Sequence, residues 1–315
     1  MREHKLKLKW LFLSLTLALS TVLAGCEQSL LILDPKGPQA KTLSDTIIFS
    51  ILMMTGILLV VYVLYTYMLV KYRASKLDDD YEPPHEEGNK WLELIWTLIP
   101  VVIVIVLSVV TVRTTSDVES TPSAYANEKA LVIYASSSNW KWHFSYPEEG
   151  IETVNYVNIP TDRPIEFRLY SYGPITSFWI PQLAGQKYAM SDMVTTIHLA
   201  ADTPGSYIGK NSNFSGEGFA HMEFEAQAMT TKDYEEWVQD VKATAPQLTK
   251  TEFDELLTTP HVGRKTYTST HLEFSPAPEG EHAGHQHGTN SAEIEHAKQE
   301  RSTDAPNDTV HAHAQ

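Results

Sequence analysis

The apolar residues of this chain gather in three runs near the N-terminus, and beyond residue 113 they are dispersed. Trp10 to Leu23 is a short apolar stretch behind Arg2, Lys5, Lys7 and Lys9. Thr46 to Val70 carries no charge over 25 residues, and Leu94 to Val112 none over 19, between Glu93 and Arg113. Crossing ~30 Å of hydrocarbon takes about 20 helical residues, so the second and third runs predict two transmembrane helices forming a hairpin. A soluble core helix of that length keeps a polar face, and neither run has one. Lys71, Arg73 and Lys76 follow the first helix and Lys90 precedes the second, so the loop 71–93 is expected in the cytoplasm. Everything after Arg113 is then expected outside.

From about 125 to 230 the pattern becomes short β-rich segments separated by turn residues, as in an all-β sandwich. Leu131 to Tyr134, Val154 to Ile159, Ile165 to Tyr170, Thr195 to Leu199 and Met222 to Phe224 read as strands, and Thr203-Pro204-Gly205 as a turn. Trp140, Trp142, Phe144 and Tyr146 recur at period two, which places four aromatics on one strand face, in the core or at a subunit contact. Residues 231–270 read as helical. Val238 and Val241, then Phe253, Leu256 and Leu257, fall at amphipathic spacing, with Pro246 separating two helices. Residues 275–315 hold seven acids, two bases and six histidines with few large apolar side chains, a disordered profile. His282, His285, His287, His311 and His313 of this tail suit either weak metal binding or a plain flexible segment.

Composition sharpens this outline. The 315 residues are enough for about two units, and the mean hydropathy of −0.22 averages membrane segments with a polar remainder. A net charge of −15 argues against nucleic acid as a partner. A single cysteine excludes an intrachain disulfide and Cys-rich zinc or iron–sulfur sites. That cysteine, Cys26, follows Leu23-Ala24-Gly25 at the end of the basic-then-apolar leader, an arrangement that resembles the lipobox of bacterial lipoproteins. The resemblance implies a signal peptide over 1–25 and an acylated Cys26 at the start of the mature chain. Cleavage removes four bases and one acid, taking the charge to about −18. The expected order is therefore signal 1–25, outer segment 26–45, helix 46–70, loop 71–93, helix 94–112, sandwich 125–230, helical segment 231–270 and tail 275–315.

Two passages carry a more specific likeness: Gly173-Pro174-Ile175-Thr176-Ser177-Phe178-Trp179-Ile180-Pro181, and the stretch from Pro204 to Met222 that includes Ser215-Gly216-Glu217-Gly218-Phe219. With the two helices, and with Leu92-Glu93 and Trp96-Thr97-Leu98-Ile99-Pro100 opening the second, they resemble subunit II of the haem–copper respiratory oxidases. The resemblance covers residues from about 40 to about 270 and implies a cupredoxin-like Greek-key sandwich. Cytochrome c oxidases of that family bind two copper ions there through an H-S-F-W motif and a C-x-E-x-C-G-x-x-H-x-x-M loop. In this chain those ligand positions are Thr176, Asn211, Asn213, Ser215 and Phe219, and only Met222 keeps a ligand type. A lone thioether does not hold a binuclear copper site.

Scaffold without ligands is similar to the quinol oxidase branch of the family. That resemblance implies subunit II of a proton-pumping complex that oxidises a quinol (menaquinol for a Gram-positive source) and reduces O2 to water. It implies no cofactor in this chain, haem and copper in subunit I, and no catalysis by this chain alone. The implied partners are subunit I, the other oxidase subunits, membrane lipid and quinol, and not cytochrome c. Glu93 matches the carboxylate of the L-E-x-x-W-T-x-x-P pattern, which in the family lies at the mouth of a proton pathway. The same position also suits a plain helix N-terminal acid. Two other readings stay open: a cytochrome c oxidase subunit II with a working copper site, and a non-enzymatic lipoprotein that binds metal or a surface partner.

Overall fold

In a computed structural model, the structure describes Trp10, Ser14, residues 30–73 and residues 88–278. Two long helices come first, α1 (Pro38–Lys71) and α2 (Lys90–Glu119). Pro38 opens α1, where its missing N–H costs nothing, and the Asn89 side chain caps α2 by accepting from the N–H groups of Trp91 and Leu92. Thr46 near the start of α1 and Thr114 near the end of α2 share a 3.1 Å hydroxyl contact, so the pair is antiparallel. The apolar side chains of both helices are exposed, as expected for surfaces that face lipid.

At ~1.5 Å per residue, 34 residues make α1 about 50 Å long, well beyond the ~30 Å of a hydrocarbon core. Its extra first turns are seated on the sandwich. Lys36 N–H donates to Gln182 C=O (2.7 Å) and Ala40 N–H to Leu183 C=O (3.2 Å), with Gln39, Ala40 and Ser44 buried. Gly37 is required at this junction, because a Cβ there would lie 2.1 Å from the Ala200 carbonyl oxygen. Lys187 pairs with Glu119 (2.9 Å) and fixes the end of α2 to the same side.

The sandwich has strands β1 (Leu131–Ser138), β2 (Lys141–Tyr146), β3 (Ile151–Val154), β4 (Tyr156–Pro160), β5 (Ile165–Ser171), β6 (Thr176–Trp179), β7 (Gln186–Ala189), β8 (Thr195–Leu199), β9 (Gly205–Asn211) and β10 (Glu223–Met229). Helices α3 (Thr231–Thr244) and α4 (Lys250–Thr258) follow, then β11 (Lys265–Tyr267). One sheet runs β11-β3-β2-β1-β5-β8 and the other β4-β10-β9-β6-β7. The β1–β5 and β4–β10 pairs are parallel and the rest antiparallel, so the chain crosses between sheets as the cupredoxin-like expectation requires. Trp142, Phe144, Phe167, Phe178 and Phe224 meet between the sheets with ring centroids 4.9–6.3 Å apart. Each such buried ring contributes roughly 1.5–3 kcal/mol relative to an exposed one.

Three local expectations change. Val154 to Ile159 is not one strand: Asn155 has φ +59° and splits it into β3 and β4, which join different sheets. Asparagine tolerates that left-handed conformation, and its side chain is held by Trp142 N–H (3.0 Å) and by Val262 C=O (2.7 Å). The segment 231–270 is not wholly helical, because β11 pairs antiparallel with β3 and extends the first sheet. The aromatic stripe also divides. Trp142, Phe144 and Tyr146 are core residues, and full burial removes Trp142 from any subunit contact, whereas Trp140 precedes β2 and is partly exposed.

Candidate functional site

Of the six positions matched to copper ligands, Thr176, Asn211, Ser215 and Met222 are buried at one end of the second sheet, and Asn213 and Phe219 lie in the loop above them. Thr176 opens β6 and Asn211 closes β9, and the antiparallel pairing of these strands brings both to the same end of the sheet. Phe178 is opposite Asn211 in the ladder. The loop from 212 to 222 folds back over them and returns Met222 to the start of β10, where Asn211 N–H donates to Met222 C=O (3.0 Å). Thr176, Asn211, Ser215 and Met222 are all buried.

What fills the site is a hydrogen-bond network centred on one amide. Asn211 Oδ1 accepts from the backbone N–H of Ser177 (2.8 Å) and of Asn213 (3.0 Å). Its Nδ2 donates to Ser215 Oγ (2.9 Å) and toward Met222 Sδ (3.5 Å). Asn213 Nδ2 donates to Ile175 C=O (2.8 Å), and Thr176 Oγ1 shares a 2.7 Å contact with Ser137 Oγ of β1. Every polar side chain at the matched positions is therefore committed to a neighbour. Phe219 contributes a ring that packs against Phe214, not a ligand.

The loop is positioned by Trp140. Its Nε1 donates to Ser215 C=O (3.1 Å), and the indole lies flat against Gly218, where a Cβ would come within 2.3 Å of the ring. His261 stacks on Trp140 (5.6 Å between centroids, 18° between planes), and His221 contacts His261 edge-on. Amides, hydroxyls and a phenyl ring are poor copper ligands, and copper's preference is for thiolate and imidazole. His221 is exposed and two residues from the matched histidine position. The donor set does not fit two copper ions. Among the described residues no group of three or more His, Cys, Asp or Glu side chains is arranged to hold a metal ion.

Glu93 is exposed in the first turn of α2, beneath the Asn89 cap, with its carboxyl close to Gly88. Its backbone carbonyl accepts from Thr97 Oγ1 (2.9 Å). It stands far along the hairpin from the Asn211 site, so these two sets of residues are not brought together. Cys26 and the histidines of the tail lie outside the described residues.

One polar cluster was not singled out by sequence. Lys141, His143 and Ser145 alternate with the core aromatics of β2 and so read as solvent-facing, yet all three are fully buried, together with Glu152 and His271. The period-two alternation was legible; the cover supplied by the C-terminal segment more than a hundred residues later was not.

Comparison with known proteins gives this geometry its context. Residues 27–113 match the family described as the transmembrane domain of cytochrome c oxidase subunit II. The chain is 49% identical over 260 residues to quinol oxidase subunit 2 of Bacillus cereus (strain ATCC 14579), covering 82% of this chain and 89% of that one. It is 50% identical over 264 residues to quinol oxidase subunit 2 of Bacillus subtilis (strain 168), covering 82% of each. Among solved structures, the periplasmic domain of subunit II of cytochrome oxidase of Bradyrhizobium japonicum aligns with a TM-score of 0.35 and 22% identity, over 36% of this chain and 96% of that one.

Proposed function

The chain belongs to the quinol oxidase subunit 2 family, and from that premise we propose that it scaffolds the outer face of a proton-pumping oxidase without relaying electrons itself. The observation that carries this reading is the Asn211 network, in which the polar side chains at the matched ligand positions are bonded to one another or to neighbouring groups and offer no ligand set for copper. A quinol dissolved in the bilayer delivers electrons within the membrane, so a water-facing relay on this domain has nothing to do. In this reading the haems and copper belong to subunit I, the quinol (menaquinol for a Gram-positive source) is oxidised there, and O2 is reduced to water. This chain contributes binding surface, the hairpin and the proton entrance.

Lys71 and Arg73 at the end of α1 and Lys90 at the start of α2 favour a cytoplasmic turn of the hairpin, which sets the sandwich outside. An acylated Cys26 gives the same orientation, since a lipoprotein leader is exported. With that topology Glu93 stands at the cytoplasmic end of α2, where a carboxylate can take protons for delivery into subunit I. Glu93→Ala is expected to slow quinol-driven oxygen uptake several-fold while haem content and assembly stay normal. Full turnover in an assembled variant removes the proton role.

The reading as a whole is tested by purifying the chain in mild detergent and recording a haem spectrum and quinol-driven oxygen uptake. Co-purification with a haem protein that consumes oxygen on quinol is expected. A chain that isolates free of haem protein ends the proposal.

A further inference from the structure

Helix α4 and the final segment to Ser275 lie across the outer face of the first sheet and bury a titratable cluster beneath them. Glu152 Oε2 on β3 accepts from Ser145 Oγ (3.0 Å) and from the His271 backbone N–H (2.8 Å), and His271 Nδ1 lies 2.7 Å from it. On the other side of its ring, His271 Nε2 is 2.6 Å from the Tyr170 hydroxyl. Phe253 of α4 stacks flat on the same imidazole, 4.4 Å between centroids and 4° between planes. The second half of the cluster is on β2. His143 Nε2 is 2.9 Å from Ser138 Oγ, which also accepts from Lys141 Nζ (3.1 Å).

Where the halves meet, the network fails to close. His143 Nδ1 and Glu152 Oε1 face each other at 3.8 Å, beyond hydrogen-bond range, and neither has a partner. Both residues are fully buried, and buried polar atoms are nearly always paired, so this gap is a weak point held shut by its cover. The cover is a satellite of the main core: Leu248, Phe253, Leu256 and the ring of Tyr267 pack on Val154, flanked by the partly buried Tyr172, Leu257, Val262 and Phe274. Elements with few buried apolar contacts open before the rest of a domain.

We propose that segment 246–275 is a proton-linked clamp, released from the sandwich when the outer medium protonates His143. The groups facing that imidazole are Ser138 from β1, Lys141 from β2, Glu152 from β3, Phe253 from α4 and His271, and His271 in turn contacts Ser145, Tyr170 and Tyr172. Burial holds His143 well below its ordinary range, with His271 and Lys141 adding repulsion. In the opened state the imidazole is hydrated and titrates near its usual ~6.5. Opening therefore takes up one proton below that pH, and the opening constant rises up to about tenfold per pH unit. Lys141, pushed down to about 8 by burial, is protonated in both states over this window and adds no slope.

The test is hydrogen exchange on the full chain in detergent between pH 7.5 and 5, corrected for the intrinsic exchange rate. Opening of peptides from 246–275 is expected to rise severalfold to tenfold from pH 6.5 to 5.5, while β1 and β5 stay protected. His143→Gln, which keeps a polar side chain and does not titrate, is expected to flatten that rise. A flat profile in the unmodified protein, simultaneous opening of the whole sandwich, or the same slope in folded His143→Gln overturns the proposal. If His143→Gln does not fold, the unmodified protein decides alone by the presence or absence of the confined slope.

Discussion

The sandwich holds two buried polar networks, and they are made of different chemistry. The network around Asn211 contains amides, hydroxyls, backbone groups and one thioether, and each polar side chain in it has a partner. The network around Glu152 contains a carboxyl, two imidazoles, an ammonium and a phenol, and leaves two atoms facing each other unpaired. The first ties the 212–222 loop to β6 and β9 through bonds among groups that do not titrate. The second fastens an added C-terminal segment to a finished sandwich. The bonds of the first network involve no titrating side chain, whereas those of the second make attachment of the C-terminal segment conditional on pH.

The comparison is broken most directly by removing the centre of each network. Glu152→Ala leaves Ser145, His271 and a backbone N–H without their acceptor inside a fully buried site, and a loss of about 3–5 kcal/mol is expected in denaturant unfolding. Asn211→Leu orphans the N–H groups of Ser177 and Asn213, with an expected loss on the order of 3 kcal/mol. A smaller loss for Asn211 than for any exposed residue of its loop would show that the amide does not hold the site together.

Acidity separates the networks next. A folded chain that refuses a proton on His143 loses ground to an unfolded chain that accepts it below ~6.5, so stability present above that pH falls as pH drops through it, by roughly 1 kcal/mol per unit. Unfolding midpoints at pH 7, 6 and 5 measure this, and His143→Gln is expected to reduce the dependence while Asn211→Leu leaves its slope unchanged. The smallest effect is at the loop tip. Phe214 is 76% exposed, so Phe214→Ser is expected to change stability by no more than about 0.5 kcal/mol in the same assay.

Much of this was legible in the sequence because it rests on local signals. Two uncharged runs gave the hairpin, and alternating segments with Thr203-Pro204-Gly205 and similar turns gave a β-sandwich. The quoted motifs located Thr176, Asn211, Ser215 and Met222, which the structure gathers at one end. What local pattern does not carry is distant cover. Lys141, His143 and Ser145 have the alternation of a solvent-facing strand edge, and only the return of α4 and His271 buries them. Asn155 gave no warning that it ends one sheet and begins the other, because asparagine serves strands and turns alike until its φ is known.

A subunit that serves an oxidase fed by quinol and carries no copper relay has a distinct donor preference and spectrum. Oxygen uptake by the purified complex, with quinol and with reduced cytochrome c as alternative donors and with the near-infrared spectrum recorded on the same sample, tests this most directly. Uptake on quinol is expected, with none above background on cytochrome c and no near-infrared band from a binuclear copper centre. Turnover on cytochrome c, or that copper band, would contradict this.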